Sequence, residues 1–112
     1  MKRHNLNRQL SLEAMQRTSD GAGGFVETWQ QLGTLWGEVR PRTGRLAEGE
    51  AGAVSVTGFR ITVRGAPEGH SGRPVAGQRF RLGNRRFRIE AVTEVEPKGF
   101  YLNCHCEEEV AT

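Results

Sequence analysis

Apolar and polar side chains alternate near the start of the chain. Leu6, Leu10 and Leu12 fall on one face of a period-two pattern, and most of the residues between them are polar. Alternation of this kind is typical of a strand with one buried face. The cluster TSDGAGG at residues 18–24 favours a turn. We therefore predict a first strand that ends at this turn.

A tryptophan-containing segment follows at residues 25–39. Its large apolar residues have helix-like spacing. However, Gly33 and Gly37 would each destabilise a helix by about 1 kcal/mol relative to alanine. We therefore predict a strand over residues 34–40, with Trp29 at its approach.

Residues 42–55, RTGRLAEGEAGAVS, are the stretch least suited to a core. They are rich in glycine, alanine and glutamate, and Leu46 is the only large aliphatic residue before Val54. A short weak helix over residues 46–53 is one interpretation, and a long mobile loop is the preferred one. Long loops without secondary structure are uncommon in compact domains and are often functional.

The second half of the chain predicts the remaining strands. VTGFRITVR at residues 56–64 alternates cleanly, and a second polar loop follows at residues 65–77. A strand at residues 89–95 and a last strand at residues 100–106 are joined by a predicted turn at residues 97–99.

The segment QRFRLGNRRFRI, residues 78–89, predicts a β-hairpin that turns at Gly83-Asn84. With a two-residue loop, Phe80 lies opposite Phe87, and both face the core. The other face then carries four arginines, which are Arg79, Arg81, Arg86 and Arg88. Because like charges that lie opposite each other destabilise a sheet, we expect a counter-charge nearby.

Three interpretations of these arginines stay open. They could contact the phosphates of nucleic acid, or pair with acids of a neighbouring subunit, with Glu107, Glu108 and Glu109 as candidates. They could also form a solvated face. The phenylalanines lie on the opposite face, which argues against a platform for stacking bases. The acidic tail, residues 107–112, is predicted to be solvated and frayed.

Composition supports a β-rich fold. The chain has 112 residues, of which 36% are hydrophobic and 15 are glycine, and its formal net charge is +3. The length suits one domain, residues 1–112. We predict a mainly all-β fold, a small antiparallel β-barrel or sandwich with long loops and at most one short helix. The mild positive charge permits contact with DNA or an acidic surface and proves neither.

Targeting and redox signals are sparse. No apolar run approaches the roughly 20 residues of a membrane span, and MKRHNLNRQL at the N-terminus lacks the apolar stretch of a secretory signal. The cysteines are Cys104 and Cys106, whose spacing on a strand is too wide for an unstrained disulfide. We expect free thiols in a reducing compartment.

Catalytic and metal chemistry are not expected. Cys104 and Cys106 carry zinc-type ligands, but His105 between them points to the other face of a strand. His70 and Ser71 are adjacent and have no orienting acid in the sequence pattern. We therefore predict no enzyme activity, no metal and no cofactor.

Several segments together resemble a known family. These are W-x-x-L-G-T-L-W-G-E-V-R-P at residues 29–41, T-G-R at 43–45, FRITVR at 59–64, the arginine hairpin, and YLNCHCEE at 101–108. Their order and spacing resemble those of the head–tail joining proteins of long-tailed phages, also called head-closure or stopper proteins. The resemblance extends to phage-like particles such as gene transfer agents.

The resemblance implies a small β-barrel that assembles as a ring at the neck of a virion or phage-like particle, after synthesis in the bacterial cytoplasm. A six-fold ring is preferred and a twelve-fold ring is the alternative. The expected partners are the portal and adaptor above, the tail terminator and tail proteins below, and packaged double-stranded DNA in the channel. No membrane contact is expected.

The resemblance also implies roles for residues. A loop between the second and third strands would reach into the channel and help to retain DNA, and its candidates are Arg42, Thr43, Gly44, Arg45, Leu46, Glu48 and Glu50. The arginine hairpin would meet a neighbouring subunit or the adaptor in preference to DNA.

Trp29 and Trp36 are interpreted first as core anchors, with a subunit interface as the alternative. A small basic nucleic-acid-binding barrel is the rival function.

Overall fold

The computed structural model describes residues 5–42, 58–66, 69–70, 72–95 and 100–109. These residues form six strands and, within the described ranges, no helix. The strands are β1 Arg8–Ser19, β2 Phe25–Pro41, β3 Gly58–Arg64, β4 Arg79–Leu82, β5 Arg85–Glu94 and β6 Tyr101–Glu109.

The six strands pair antiparallel in a closed barrel with the order β1-β2-β3-β6-β5-β4. Pairing between β1 and β4 closes it. The all-β prediction is confirmed, and the fold is a barrel and not a sandwich. The short helix considered for residues 46–53 and the turn predicted at residues 97–99 lie outside the described residues.

Alternate residues of every strand fill the barrel interior. Ten hydrophobic side chains are almost fully buried, and they are Leu10, Leu12, Ile61, Val63, Phe80, Phe87, Ile89, Leu102, Cys104 and Cys106. The rings of Phe59 and Phe87 meet edge to face with 5.1 Å between their centroids. Burial of a large apolar side chain contributes about 1.5–3 kcal/mol, so this cluster is the main source of stability.

β2 is longer than predicted, and β1 and β2 both extend beyond their pairing with the other strands. β4 pairs with β1 only over Ser11–Glu13, and β3 pairs with β2 only over Gly37–Pro41. The rest of the two strands continues as a two-stranded ribbon, which we call the arm: residues 14–19 of β1 and 25–36 of β2. The predicted strand over residues 34–40 therefore covered less than half of β2.

A bulge explains the misleading spacing in β2. Leu12 lies opposite Gly33 and Glu13 lies opposite Gln31, so Leu32 is an extra residue without a partner in β1. An extra residue interrupts the alternation of a strand. It brings the apolar residues of this segment to a spacing that resembles a helix.

The arginine hairpin has the predicted register. Phe80 pairs with Phe87 and Arg81 pairs with Arg86 across the two-residue turn. Gly83 adopts a φ of 61°, which a side chain would disfavour.

Two expectations at the C-terminal end are wrong. Glu107, Glu108 and Glu109 are not frayed, because they form the end of β6 and pair with β5. The last strand was expected to begin at residue 100, but Phe100 precedes β6 and is exposed. Residues 110–112 of the predicted tail lie outside the described residues.

Candidate functional site

The four predicted arginines lie together on the outside of the barrel, and we call this surface the arginine face. Cross-strand pairing arranges the residues of this face in two rows that run across β1, β4, β5 and β6. The rows are Glu13–Arg79–Arg88–Glu107 and Ser11–Arg81–Arg86–Glu109. The arginines therefore occupy the two middle strands. Carboxylates flank the first row on both sides and the second row on the β6 side.

Arg79 contacts two carboxylates and an aromatic ring. Its Nε donates to Glu13 Oε1 at 2.6 Å, and its Nη1 donates to Glu109 Oε1 at 3.5 Å. Its guanidinium also lies over the ring of Trp29, with Cζ 4.0 Å from the centroid. Glu13 is itself buried. This ion pair joins β1 to β4 at the base of the arm.

Arg81 and Arg88 are half-exposed, with 52% and 53% of their side chains accessible. Arg81 Nη1 lies 3.8 Å from the second oxygen of Glu13. Arg88 Nε donates to Glu90 Oε2 at 2.9 Å, and this bond raises the pKa of Arg88. Among the described residues, the buried Nε of Arg86 has no hydrogen-bond partner.

The expected counter-charge comes from the same chain. Four glutamates surround the four arginines, and they are Glu13, Glu90, Glu107 and Glu109. The arginine face is thus close to neutral as a whole, although its arginines are clustered. Glu107 and Glu109, which were candidates for pairing between subunits, lie beside the arginines of their own barrel.

Arg85 belongs to this region and was missed by the sequence pattern. It forms a bidentate pair with Glu108, with Nε and Nη2 at 2.8 and 3.0 Å from the two carboxylate oxygens. The hydrogen bonds from Arg85 lower the pKa of Glu108. Its guanidinium also lies over the rings of Phe59 and Phe87. Strand alternation places Arg85 on the apolar face. Its side chain is long enough for the guanidinium to extend past that face and reach Glu108.

The tryptophans are not core anchors, so that interpretation is wrong. Trp36 is 55% exposed. Trp29 is partly buried beneath Arg79 and lies outside the core cluster. Large exposed aromatic side chains are enriched at subunit interfaces, and this remains the alternative for both residues.

Arg42 is the one predicted loop residue that the structure describes. Its backbone N–H donates to Gly58 O at 2.9 Å, and its Nη2 donates to Cys106 O at 3.4 Å. A Cβ on Gly58 would lie 2.7 Å from Nη2 of Arg42, so a larger residue there would require the Arg42 side chain to move. The remaining predicted loop residues, Thr43, Gly44, Arg45, Leu46, Glu48 and Glu50, lie outside the described residues.

The cysteines face the barrel interior as free thiols. Burial raises the pKa of Cys104 to about 12 and also raises that of Cys106. His105 points to the other side of the sheet, where its Nε2 lies 3.3 Å from the Thr93 hydroxyl. In the described ranges no three histidine, cysteine, aspartate or glutamate side chains are grouped as metal ligands. No helix among the described residues has the length and apolarity needed to span a membrane.

Comparison with known proteins identifies the family of this small barrel. The model of the phage head completion protein family matches residues 1–109, and the chain belongs to that family. It is thus related to structural components of the virion that act where head and tail join, as the sequence resemblance implied.

Two solved structures are similar over the whole chain. One is a chain in the virion of a native gene transfer agent particle, with 45% sequence identity, a TM-score of 0.75, and coverage of 97% of this chain and 100% of that chain. The other is a protein from Shigella flexneri 2a, with 20% identity, a TM-score of 0.73 and full coverage of both chains. At that identity the second likeness shows the fold alone. No curated protein matches the chain.

Proposed function

We propose that this protein is a head-closure protein, or stopper, that forms a ring between the portal and adaptor and the tail. It joins head to tail at the neck of a phage-like particle and helps to retain packaged DNA. The observation that carries the proposal is the match to the head completion family over residues 1–109. The gene transfer agent relative, 45% identical over 97% of the chain, supports a role inside a particle.

The base of the proposed channel loop supports the DNA-retaining part. β2 ends at Pro41 and β3 begins at Gly58. The 2.9 Å hydrogen bond from Arg42 to Gly58 holds these two ends together at the barrel. Residues 42–55 are therefore the segment we assign to the channel, in a ring that we expect to be six-fold, with twelve-fold as the alternative.

The arginine face supports a protein partner more than DNA. Nonspecific DNA affinity depends on an excess of cationic contacts with phosphates. Here Arg79, Arg81 and Arg88 each lie within 3.8 Å of a carboxylate of the same chain, and Arg79 is largely buried. The half-exposed Arg81 and Arg88 remain accessible to acids of a neighbouring subunit or the adaptor. Trp36 is the exposed aromatic residue that we assign to the same kind of contact.

Deletion of the gene in a strain that makes the particle tests the proposal, with electron microscopy of the lysate. The expected result is separate tails beside tailless heads, many of which have lost their DNA. Complementation with the wild-type gene is the positive control. Complementation with a variant whose residues 43–55 are replaced by a short Gly-Ser linker should restore joining but leave more empty heads. Intact tailed particles with normal DNA content in the deletion strain would refute the proposal.

The rival, a basic nucleic-acid-binding barrel, is tested by titration of labelled duplex DNA at two salt concentrations. Such a module predicts micromolar or tighter binding that weakens steeply with salt. The stopper predicts weak binding by the isolated protein, because the arginine face is neutralised internally. Tight, salt-sensitive binding that is lost in Arg81→Glu would favour the rival.

A further inference from the structure

Among the described residues, two strand edges of the arm have no neighbouring strand. On β1, pairing with β4 stops at Glu13, and on β2, pairing with β3 starts at Gly37. In the part of the chain that the structure describes, residues 14–19 pair only with residues 25–30, and residues 25–36 pair only with β1. One long side of the arm is therefore the open edge of β1 over residues 14–19, and the other is the open edge of β2 over residues 25–36.

Neither edge carries lysine or proline, two of the residues that protect many natural edge strands from pairing. The protection that these edges do carry is the bulge at Leu32 and the charges of Arg17 and Glu27. Residues 14–19 and 25–36 contain no lysine and no proline. The arm also exposes large apolar side chains, with Phe25 65%, Val26 49% and Met15 45% accessible. A two-stranded ribbon is marginally stable in water by itself, so the arm is suited to pairing with a further strand.

The two ends of the arm are held in place. At the tip, the carboxylate of Asp20 accepts hydrogen bonds from the backbone N–H groups of Ala22 and Gly24 at 2.7 and 3.0 Å, and these bonds lower the pKa of Asp20. At the base, the buried Glu13–Arg79 pair and the stacked Trp29 fix the arm to the barrel. A preorganised arm loses less conformational entropy when it binds.

The charges on the two edges are complementary. Arg17 on β1 and Glu27 on β2 lie directly opposite each other, and Arg17 Nε lies 3.3 Å from Glu27 Oε2. The side chains are 67% and 49% exposed, so each remains open to a second partner. The β1 edge thus presents a cation and the β2 edge an anion at the same height along the arm.

We propose that the arm pairs edge to edge with the arms of neighbouring copies of this chain, which rests on the proposed ring. The β2 edge of one copy lies antiparallel to the β1 edge of the next. The register that the chain uses internally then places Glu27 of one copy beside Arg17 of the next. The same register places Trp29 beside Met15 and Phe25 beside Ser19.

This contact uses two different surfaces of the chain. A heterologous interface of that kind repeats from copy to copy and closes into a ring when its rotation permits. In this register the pairing supplies backbone hydrogen-bond partners to residues 14–19 of one copy and 25–30 of the next. It also places the exposed apolar side chains of the two arms next to each other. Neighbouring barrels are then linked by a continuous belt of strands.

Disulfide cross-linking in particles tests the register. Two single-cysteine variants, Gln16→Cys and Thr28→Cys, are co-expressed in the strain that makes the particle. These positions face each other across the arm in the internal register, so the proposal places them side by side between copies. Mild oxidation should shift much of the protein to a dimer band on a non-reducing gel. The native thiols are buried and do not compete. Ala91→Cys, an exposed strand position on the barrel, is the matched control and should stay monomeric.

Other outcomes of the cross-linking overturn the proposal. Particles that contain both variants, with thiols open to a labelling reagent but without a dimer band, show that the arms do not pair in this register. A disulfide to a different virion protein shows that the arm docks on another partner. Either result leaves the stopper role intact, since the deletion phenotype tests that role separately.

A charge exchange tests the same contact without cysteines. Arg17→Glu combined with Glu27→Arg keeps the pair within each arm and between identical copies. In rings mixed with wild-type copies, glutamate would meet glutamate and arginine would meet arginine. The double variant should therefore assemble alone and form few mixed rings when co-expressed with a tagged wild type. Free mixing of the two, measured by tag capture from particles, would contradict edge-to-edge pairing.

Discussion

Arg79 and Arg81 offer a matched pair of substitutions, because they lie two residues apart on the same face of β4 and contact the same glutamate. Only 12% of the Arg79 side chain is exposed, and its Nε lies 2.6 Å from the buried Glu13 carboxylate. Arg81 is half-exposed and lies 3.8 Å from the other oxygen of that carboxylate. Arg79→Ala leaves Glu13 buried with only a distant cation, whereas Arg81→Ala leaves the short pair intact.

The expected magnitudes differ clearly. Removal of one partner of a buried ion pair destabilises a protein by about 3–5 kcal/mol, and loss of the cation–π contact with Trp29 adds roughly 1 kcal/mol. Relaxation at this partly open site and the remaining Arg81 reduce the total, so we expect about 3 kcal/mol for Arg79→Ala. For Arg81→Ala we expect less than about 1 kcal/mol, as for other exposed ion pairs.

Urea unfolding of the purified protein, followed by tryptophan fluorescence and far-UV circular dichroism, measures both values. A loss of about 3 kcal/mol in a domain of this size corresponds to a fall in Tm of roughly 10 °C. The reasoning is refuted if the two variants lose equal stability, or if Arg79→Ala unfolds with the wild-type midpoint. A further variant, Arg79→Lys, keeps the charge and loses the fork geometry, and it should fall between the two.

Three other predictions follow from single sites. Gly37→Ala should lower the free energy of unfolding by about 1–3 kcal/mol, because the added Cβ would lie 2.8 Å from Leu10 Cδ1. Gly33→Ala in the same strand is the control: its Cβ would have nothing within 4 Å, so the same urea assay should show little change. Burial raises the pKa of Cys104 to about 12, so a thiol reagent at pH 8 should label the two buried cysteines only after the protein unfolds. Labelling of the folded protein would contradict this. The lowered pKa of Glu108 means that its pair stabilises the fold above the ordinary glutamate pKa and is lost as pH falls through the lowered value. Urea midpoints measured from pH 7 to 3 should therefore decrease for the wild type and change less when the pairing arginine is replaced.

The local patterns that predicted the fold correctly were those with one buried face. Alternation in β3 and β6, and the Gly83-Asn84 turn, gave the strands and the hairpin register directly. The arm was underestimated because it is exposed on both faces beyond the barrel, so burial imposes no period-two pattern on its sequence. The extra Leu32 at the bulge then gave β2 a spacing that resembles a helix.

The candidate site was predicted in part. The arginine cluster and its need for counter-charge were evident from the hairpin. The identity of the counter-charge was not, because Glu13 lies 66 residues from Arg79 in sequence. Glu107 and Glu109 have the composition of a solvated tail, and cross-strand pairing with arginines places them in the sheet instead. Long-range pairing of this kind leaves no local signal in the chain.

The central claim, that this protein closes the head at the neck, is tested most directly by a reconstruction of the neck of the wild-type particle by electron cryo-microscopy. The account predicts a ring of this barrel between the portal and adaptor above and the tail below, with six copies preferred and residues 42–55 directed at the channel. Density for the barrel elsewhere in the particle, or a neck built without it, would contradict the account.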